Sequence, residues 1–89
     1  MAYLIVEYEF NPPLTEEALQ RAAKTLAPCL EVRNIKKLRS VISADGLRGY
    51  CEYEAPDAET LREAYRSARL GFRSVWPAQI YDYLPPSGG

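Results

Sequence analysis

Four glutamates carry the chemistry this chain can most plainly do. Glu7 and Glu9 alternate within one apolar run, YLIVEYEF, and Glu52 and Glu54 within another, GYCEYEA. Residues two apart in an extended strand project from one face. Each pair therefore shares a face, and if the two runs are neighbouring strands the four carboxylates either converge as metal ligands or form an ordinary charged sheet face, with Glu52 and Glu54 paired to Arg39 and Lys37. Oxygen donors gathered in this way suit a hard divalent ion such as Mg²⁺, Mn²⁺ or Ca²⁺. The chain has 89 residues and no histidine, which removes the commonest general base and the commonest metal ligand. Cys29 and Cys51 are isolated, with no CxxC spacing, so neither a zinc finger nor a histidine-based site can be assembled. Nothing in sequence near Cys51 would lower a thiol pKa, and it reads as a small buried hydrophobe. Seven tyrosines and Trp76 offer large apolar bodies with polar tips, suited to core, interface or the lining of a small-molecule pocket. No residue is assigned a catalytic role.

The elements that must position these residues follow from spacing. Tyr3 to Phe10 alternates, with Leu4, Val6, Tyr8 and Phe10 on one face and Tyr3, Ile5, Glu7 and Glu9 on the other. Asn11-Pro12-Pro13 breaks this strand. Thr15 then serves as N-cap of a helix whose Leu19, Ala22, Ala23 and Leu26 form one stripe, with Glu16 and Glu17 at its positive end and Pro28 expected to end or kink it. Asp45-Gly46 is the natural two-residue loop of a type I′ hairpin. Counting outward from it sets Arg39 opposite Glu52, Lys37 opposite Glu54 and Val41 opposite Tyr50. On the other side of the ribbon Leu38 faces Tyr53, Ser40 faces Cys51 and Ile42 faces Gly49. Opposite charges thus pair on one face and mostly apolar side chains on the other, an agreement that a one-residue slip would destroy.

Asp57 caps a second helix with Leu61, Ala64, Tyr65 and Ala68 on its stripe, ended by Gly71. Val75 to Leu84 reads as a fourth strand, which tolerates Pro77 only at a sheet edge or a bulge. The order is β-α-β-β-α-β, an α+β ferredoxin-like sandwich: a four-stranded antiparallel sheet with two helices on one face. Residues 1–84 form this single domain, and 85–89 are a frayed tail. The other face of the sheet, carrying Tyr3, Ile5, Val41 and Tyr50 among its charges, is too apolar to leave wet, so a homodimer through that face is expected.

Bulk properties narrow the partners. Lys plus Arg number 11 against 12 Asp plus Glu, a net charge of −1 that gives no electrostatic case for nucleic acid or an anionic membrane surface. Ala2 to Val6 is too short an apolar run for a leader and is interrupted at once by Glu7, so the expected compartment is the cytoplasm.

The run LRSVISADGLRGYCEYEAPD followed by ETLREAYRSA, with YLIVE upstream and TEEAL opening the first helix, resembles the small bacterial DUF4242 family over nearly the whole chain. The most specific piece is Tyr50-Cys51-x-Tyr53-x-Ala55-Pro56 after a strand containing Arg39-Ser40. The resemblance implies a dimeric ferredoxin-like domain associated with nickel or a similar divalent ion. It carries the family's strand-one Glu to Glu7 and its Tyr-Cys-x-Tyr to Tyr50, Cys51 and Tyr53, with Tyr50 and Tyr53 as ligand-contacting residues. Tyr8 stands where many relatives have Arg, and Ala64 where they have His, so any ion here must rely on oxygen donors. The expected function is that of a small non-enzymatic, dimeric ligand- or divalent-metal-binding protein. The rival readings are a dimeric α+β barrel enzyme acting on a small hydrophobic or aromatic substrate, and a structural or regulatory interaction module.

Overall fold

A computed structural model describes residues 1–81 of the chain. Six elements follow one another: β1 (Ala2–Glu9), α1 (Glu16–Glu31), β2 (Lys36–Ile42), β3 (Arg48–Ala55), α2 (Ala58–Ala68) and β4 (Ser74–Pro77). The strands form one antiparallel sheet in the order β2-β3-β1-β4, the ferredoxin-like arrangement expected from the sequence. Alternation in the two central strands sends Leu4 and Val6 of β1, and Cys51, Tyr53 and Ala55 of β3, into a core beneath the helices. From the helices come Leu26 and Leu30 of α1 and Leu61, Ala64, Tyr65 and Ala68 of α2. Burial of these apolar side chains supplies the main driving force for folding.

Local signals account for most of the boundaries. Thr15 caps α1, its hydroxyl accepting from the Ala18 amide at 3.1 Å, and Asp57 caps α2 through the Thr60 amide at 2.7 Å. β4 is an edge strand, the one location in a sheet where Pro77, lacking an amide proton, costs no ladder bond.

Several expectations give way. Pro28 neither ends α1 nor limits it, since the helix runs on to Glu31. Pro28 and Lys24, whose carbonyl loses its partner, are both on the exposed side, while Leu26 and Leu30 anchor the helix in the core. The left-handed residue after α2 is Arg69, at φ 57°, rather than Gly71. Of the stripe Leu19, Ala22, Ala23 and Leu26, only Leu26 is buried, because the first half of α1 stands away from the sheet. β4 ends at Pro77, well short of Leu84; residues 82–84 and the expected tail 85–89 lie outside the described residues.

The hairpin keeps its register near the turn but reaches it differently. Only Gly46, at φ 75°, is left-handed, so Asp45-Gly46 is not a type I′ pair. Instead Ala44–Leu47 form a longer loop closed by Ser43 N to Arg48 O at 2.8 Å, with Gly46 N donating to Ser43 O at 2.9 Å. Arg39, Ser40, Val41 and Ile42 face Glu52, Cys51, Tyr50 and Gly49 as expected. Beyond Arg39 a bulge at Leu38 shifts the pairing. Lys36 rather than Lys37 lies opposite Glu54, Lys37 lies opposite Tyr53, and Leu38 pairs with neither. A bulge places two residues against one and re-aims every side chain beyond it.

Candidate functional site

The sheet face away from the helices carries the glutamates, and the pairing register decides what they can do together. Glu7 lies opposite Tyr50 and Glu9 opposite Arg48, whereas Glu52 lies opposite Ile5 and Glu54 opposite Tyr3. Antiparallel pairing therefore sends the two acidic pairs toward opposite ends of the sheet. Glu9 and Glu54 are six residues apart along the strands, about 20 Å at 3.3–3.4 Å per residue. The four carboxylates share a face but do not converge. Among the described residues no group of three or more His, Cys, Asp or Glu is placed to hold a metal ion.

Each of the four has its own surroundings. Glu52 is almost fully buried, 5% exposed, and is satisfied on both oxygens: Tyr3 OH donates to Oε1 and Arg39 Nε to Oε2, each at 2.7 Å. The Tyr3 hydrogen bond and the Arg39 guanidinium hold its carboxyl below the usual range, while desolvation and the carboxylate push the Tyr3 phenol up to about 12. Glu9 is paired with Arg73. Glu54 lies between Tyr3 and Lys36 in the sheet without a salt bridge among the described residues. Glu7 accepts a hydrogen bond from the Trp76 indole, Nε1 to Oε1 2.8 Å, and has no cationic partner among the described residues. Around Glu7 the open face presents Tyr50, the partly exposed Val41 and Trp76, and the arginines Arg39, Arg48 and Arg73, with Ile5 buried among them.

Tyr50 and Tyr53, expected to contact one ligand, lie on opposite faces of β3, Tyr50 on the open face and Tyr53 under the helices. They cannot line one site. Tyr53 belongs instead to a cluster that sequence reasoning did not single out. The Tyr65 hydroxyl of α2 is hydrogen-bonded to Tyr53 OH at 2.6 Å and to Tyr8 OH of β1. Burial raises all three phenols well above the ordinary tyrosine value, so they stay protonated at neutral pH. Tyr65 also packs edge-on against the Tyr53 and Phe72 rings. The signal was present: Tyr8 and Tyr53 fall on the helix-facing positions of their strands, and Tyr65 on the apolar stripe of α2. Beside the cluster a partly open cavity of about 110 Å³ separates the first half of α1 from the sheet. Cys51 borders it, held by a contact with Ser40 Oγ at 3.0 Å, and both cysteines are free thiols.

Comparison with known proteins bears on which of these features belongs to a wider group. A family model described as "Nickel responsive protein SCO4226-like" matches residues 3–77. The chain belongs to this family. The crystal structure of SCO4226 from Streptomyces coelicolor A3(2) superposes with a TM-score of 0.79 over 90% of this chain and 99% of that one, at 15% sequence identity. At that identity the likeness speaks for the fold alone. No curated protein matches the chain. The nickel association implied by the sequence resemblance thus agrees with how the SCO4226-like family is described. The donors among the described residues of a single chain do not fit nickel. Imidazole is absent from the sequence, Cys51 is buried on the helix side, and Glu9 and Glu52 are each committed to an arginine. None of the described helices is long and apolar enough to cross a membrane.

Proposed function

We propose that the protein is a small non-enzymatic binding protein of the SCO4226-like family that works as a cytoplasmic homodimer and takes a divalent cation through Glu7. The observation that carries this reading is the setting of Glu7. Among the described residues its one hydrogen bond comes from the neutral indole of Trp76, and it shares the sheet face with the apolar surfaces of Val41, Tyr50 and Trp76 and with Arg39, Arg48 and Arg73, none of which is paired with it. A second copy laid on that face would bury these surfaces. It would also draw Glu7 out of water, and a carboxylate so placed needs a cation or must take up a proton. The described residues of one chain gather too few ligands, so the second copy supplies the remainder. Oxygen donors favour Mn²⁺ or Mg²⁺ over nickel, although the family's description speaks for nickel. Free thiols at Cys29 and Cys51 suit a reducing compartment.

The sole tryptophan reports directly on the site, because its indole is bonded to Glu7. Titration with Ni²⁺, Mn²⁺ and Mg²⁺, read by Trp76 fluorescence, should show saturable binding by at least one of them. Glu7→Gln keeps the shape and removes the charge, and should weaken that binding by at least about tenfold, the scale of one charged contact. An unchanged titration curve with the dimer intact would move the site elsewhere. A light-scattering mass of one chain across the micromolar range would refute the dimer.

A further inference from the structure

The cavity between α1 and the sheet has three properties that together define a ligand. The first is its origin. Leu19 and Ala22 are only partly buried and Ala23 is exposed, so the front half of an otherwise amphipathic helix leaves its apolar stripe short of a partner, while Leu26 and Leu30 farther along are buried. The gap is a wedge held open at one end and clamped at the other.

The second property is its wall. Apart from the tyrosine hydroxyls, Lys37 and the Cys51 thiol, the lining is aliphatic or aromatic, including Leu19, Ala22, Leu26, Ile42 and Leu70. An apolar space of this kind gains little from water and takes apolar guests, as an engineered cavity of about 150 Å³ that binds benzene illustrates. At about 110 Å³ the wedge is of the size for one six-membered ring.

The third property comes from counting protons. Tyr8, Tyr65 and Tyr53 form a chain of three hydroxyls joined by two hydrogen bonds, with Tyr65 in the middle. Each hydroxyl carries one proton, two protons are used within the chain, and one O–H remains uncommitted whichever way the chain runs. It lies on an end of the chain, Tyr8 or Tyr53, or on Tyr65 when both ends donate to it, and all three border the cavity. On the fully buried Tyr53 or Tyr65 an O–H without an acceptor is costly, and on half-buried Tyr8 it turns to water until an entering acceptor replaces that water.

We infer that the wedge between α1 and the sheet is a binding site for a small uncharged ring compound bearing one hydrogen-bond acceptor, a cyclic ketone being the simplest case. The acceptor meets the free tyrosine proton and the ring covers the unburied stripe of α1. This site is on the opposite side of the sheet from Glu7 and does not depend on the cation reading.

The test uses cyclohexanone, cyclohexane and cyclohexanecarboxylate as probes on the isotope-labelled full chain by NMR. Cyclohexanone should bind saturably, with nuclear Overhauser contacts to Leu26, Ile42 and Tyr65, and at least about tenfold more tightly than either of the other two. Ala22→Leu fills the wedge with a good helix former and should abolish binding; should that variant not fold, the Overhauser contacts on the unmodified chain decide alone. Equal affinity for cyclohexane would overturn the role of the hydroxyl, and equal affinity for the carboxylate would overturn the neutral ligand class. Contacts mapping to the open sheet face, or no saturable shift at all, would overturn the site.

Discussion

Replacing Tyr65 by Phe removes the middle hydroxyl of the buried tyrosine chain and leaves its two ends with unequal prospects. Tyr8 is half-buried and can turn its hydroxyl toward water, whereas Tyr53 has no exposed surface. The Tyr53 O–H therefore becomes a buried group without a partner, which costs about 1–3 kcal/mol, on top of the modest net loss of the hydrogen bonds themselves. A total of about 2–4 kcal/mol follows. With a urea dependence of about 1 kcal/mol per molar for a domain this small, the unfolding midpoint should fall by roughly 2–4 M. Removing both groups reverses part of the damage: Tyr53→Phe with Tyr65→Phe leaves no orphan, and the double variant should be more stable than Tyr65→Phe alone. Tyr8→Phe keeps the Tyr53–Tyr65 bond at 2.6 Å and should cost about 1 kcal/mol or less. Urea unfolding by circular dichroism at one fixed protein concentration measures the natural chain and its three variants on the same footing. A Tyr65→Phe loss under about 0.5 kcal/mol, or a double variant weaker than the single one, would show that the hydroxyl chain does not hold this core together.

Gly46→Ala should lower the melting temperature by several degrees, since φ 75° costs about 1–2 kcal/mol for an alanine and its Cβ would lie 3.0 Å from the Leu14 carbonyl oxygen; an unchanged melting temperature would mean that the loop relaxes freely. The Glu52 carboxyl is held below its unfolded value, so its contribution to stability is present above about pH 4.3 and is lost as the pH falls through its folded pKa. The stability gap between the natural chain and Glu52→Gln should accordingly narrow from pH 6 to pH 2.5 in thermal melts, and a gap that stays constant over that range would contradict the linkage. The Glu7→Gln titration described above completes the set, with at least about a tenfold loss of cation affinity expected.

Periodicity carried most of the architecture. The order of elements, both N-caps, the edge position of β4 and the Arg39–Glu52 ion pair were legible because each depends on residues close in sequence or on a count outward from one turn. The Leu38 bulge was not, since nothing in Lys36-Lys37-Leu38 differs from a regular strand. The carboxylates illustrate a different limit. Which face each occupies follows from alternation, but their separation depends on the pairing of β1 with β3, a long-range register that no local turn sets. The helix through Pro28 shows tertiary packing overriding a local breaker. Of the candidate site, Glu7 and Glu52 were visible as residues. What distinguishes them, an indole on one and an arginine with a tyrosine on the other, depends on partners contributed by other strands.

Both margins of the sheet are interrupted. On one side Leu38 bulges out of β2, and on the other β4 is only four residues long and ends in Pro77. A strand from another molecule seeking a continuous row of free amides and carbonyls finds one on neither side, so the sheet is a poor template for sideways growth. Fibrous, ribbon-like assembly of crowded copies is thereby disfavoured, whereas the homodimer proposed above would meet flat against flat. A closed pair stops growing once its faces are covered, whereas a ribbon always leaves another edge to fill.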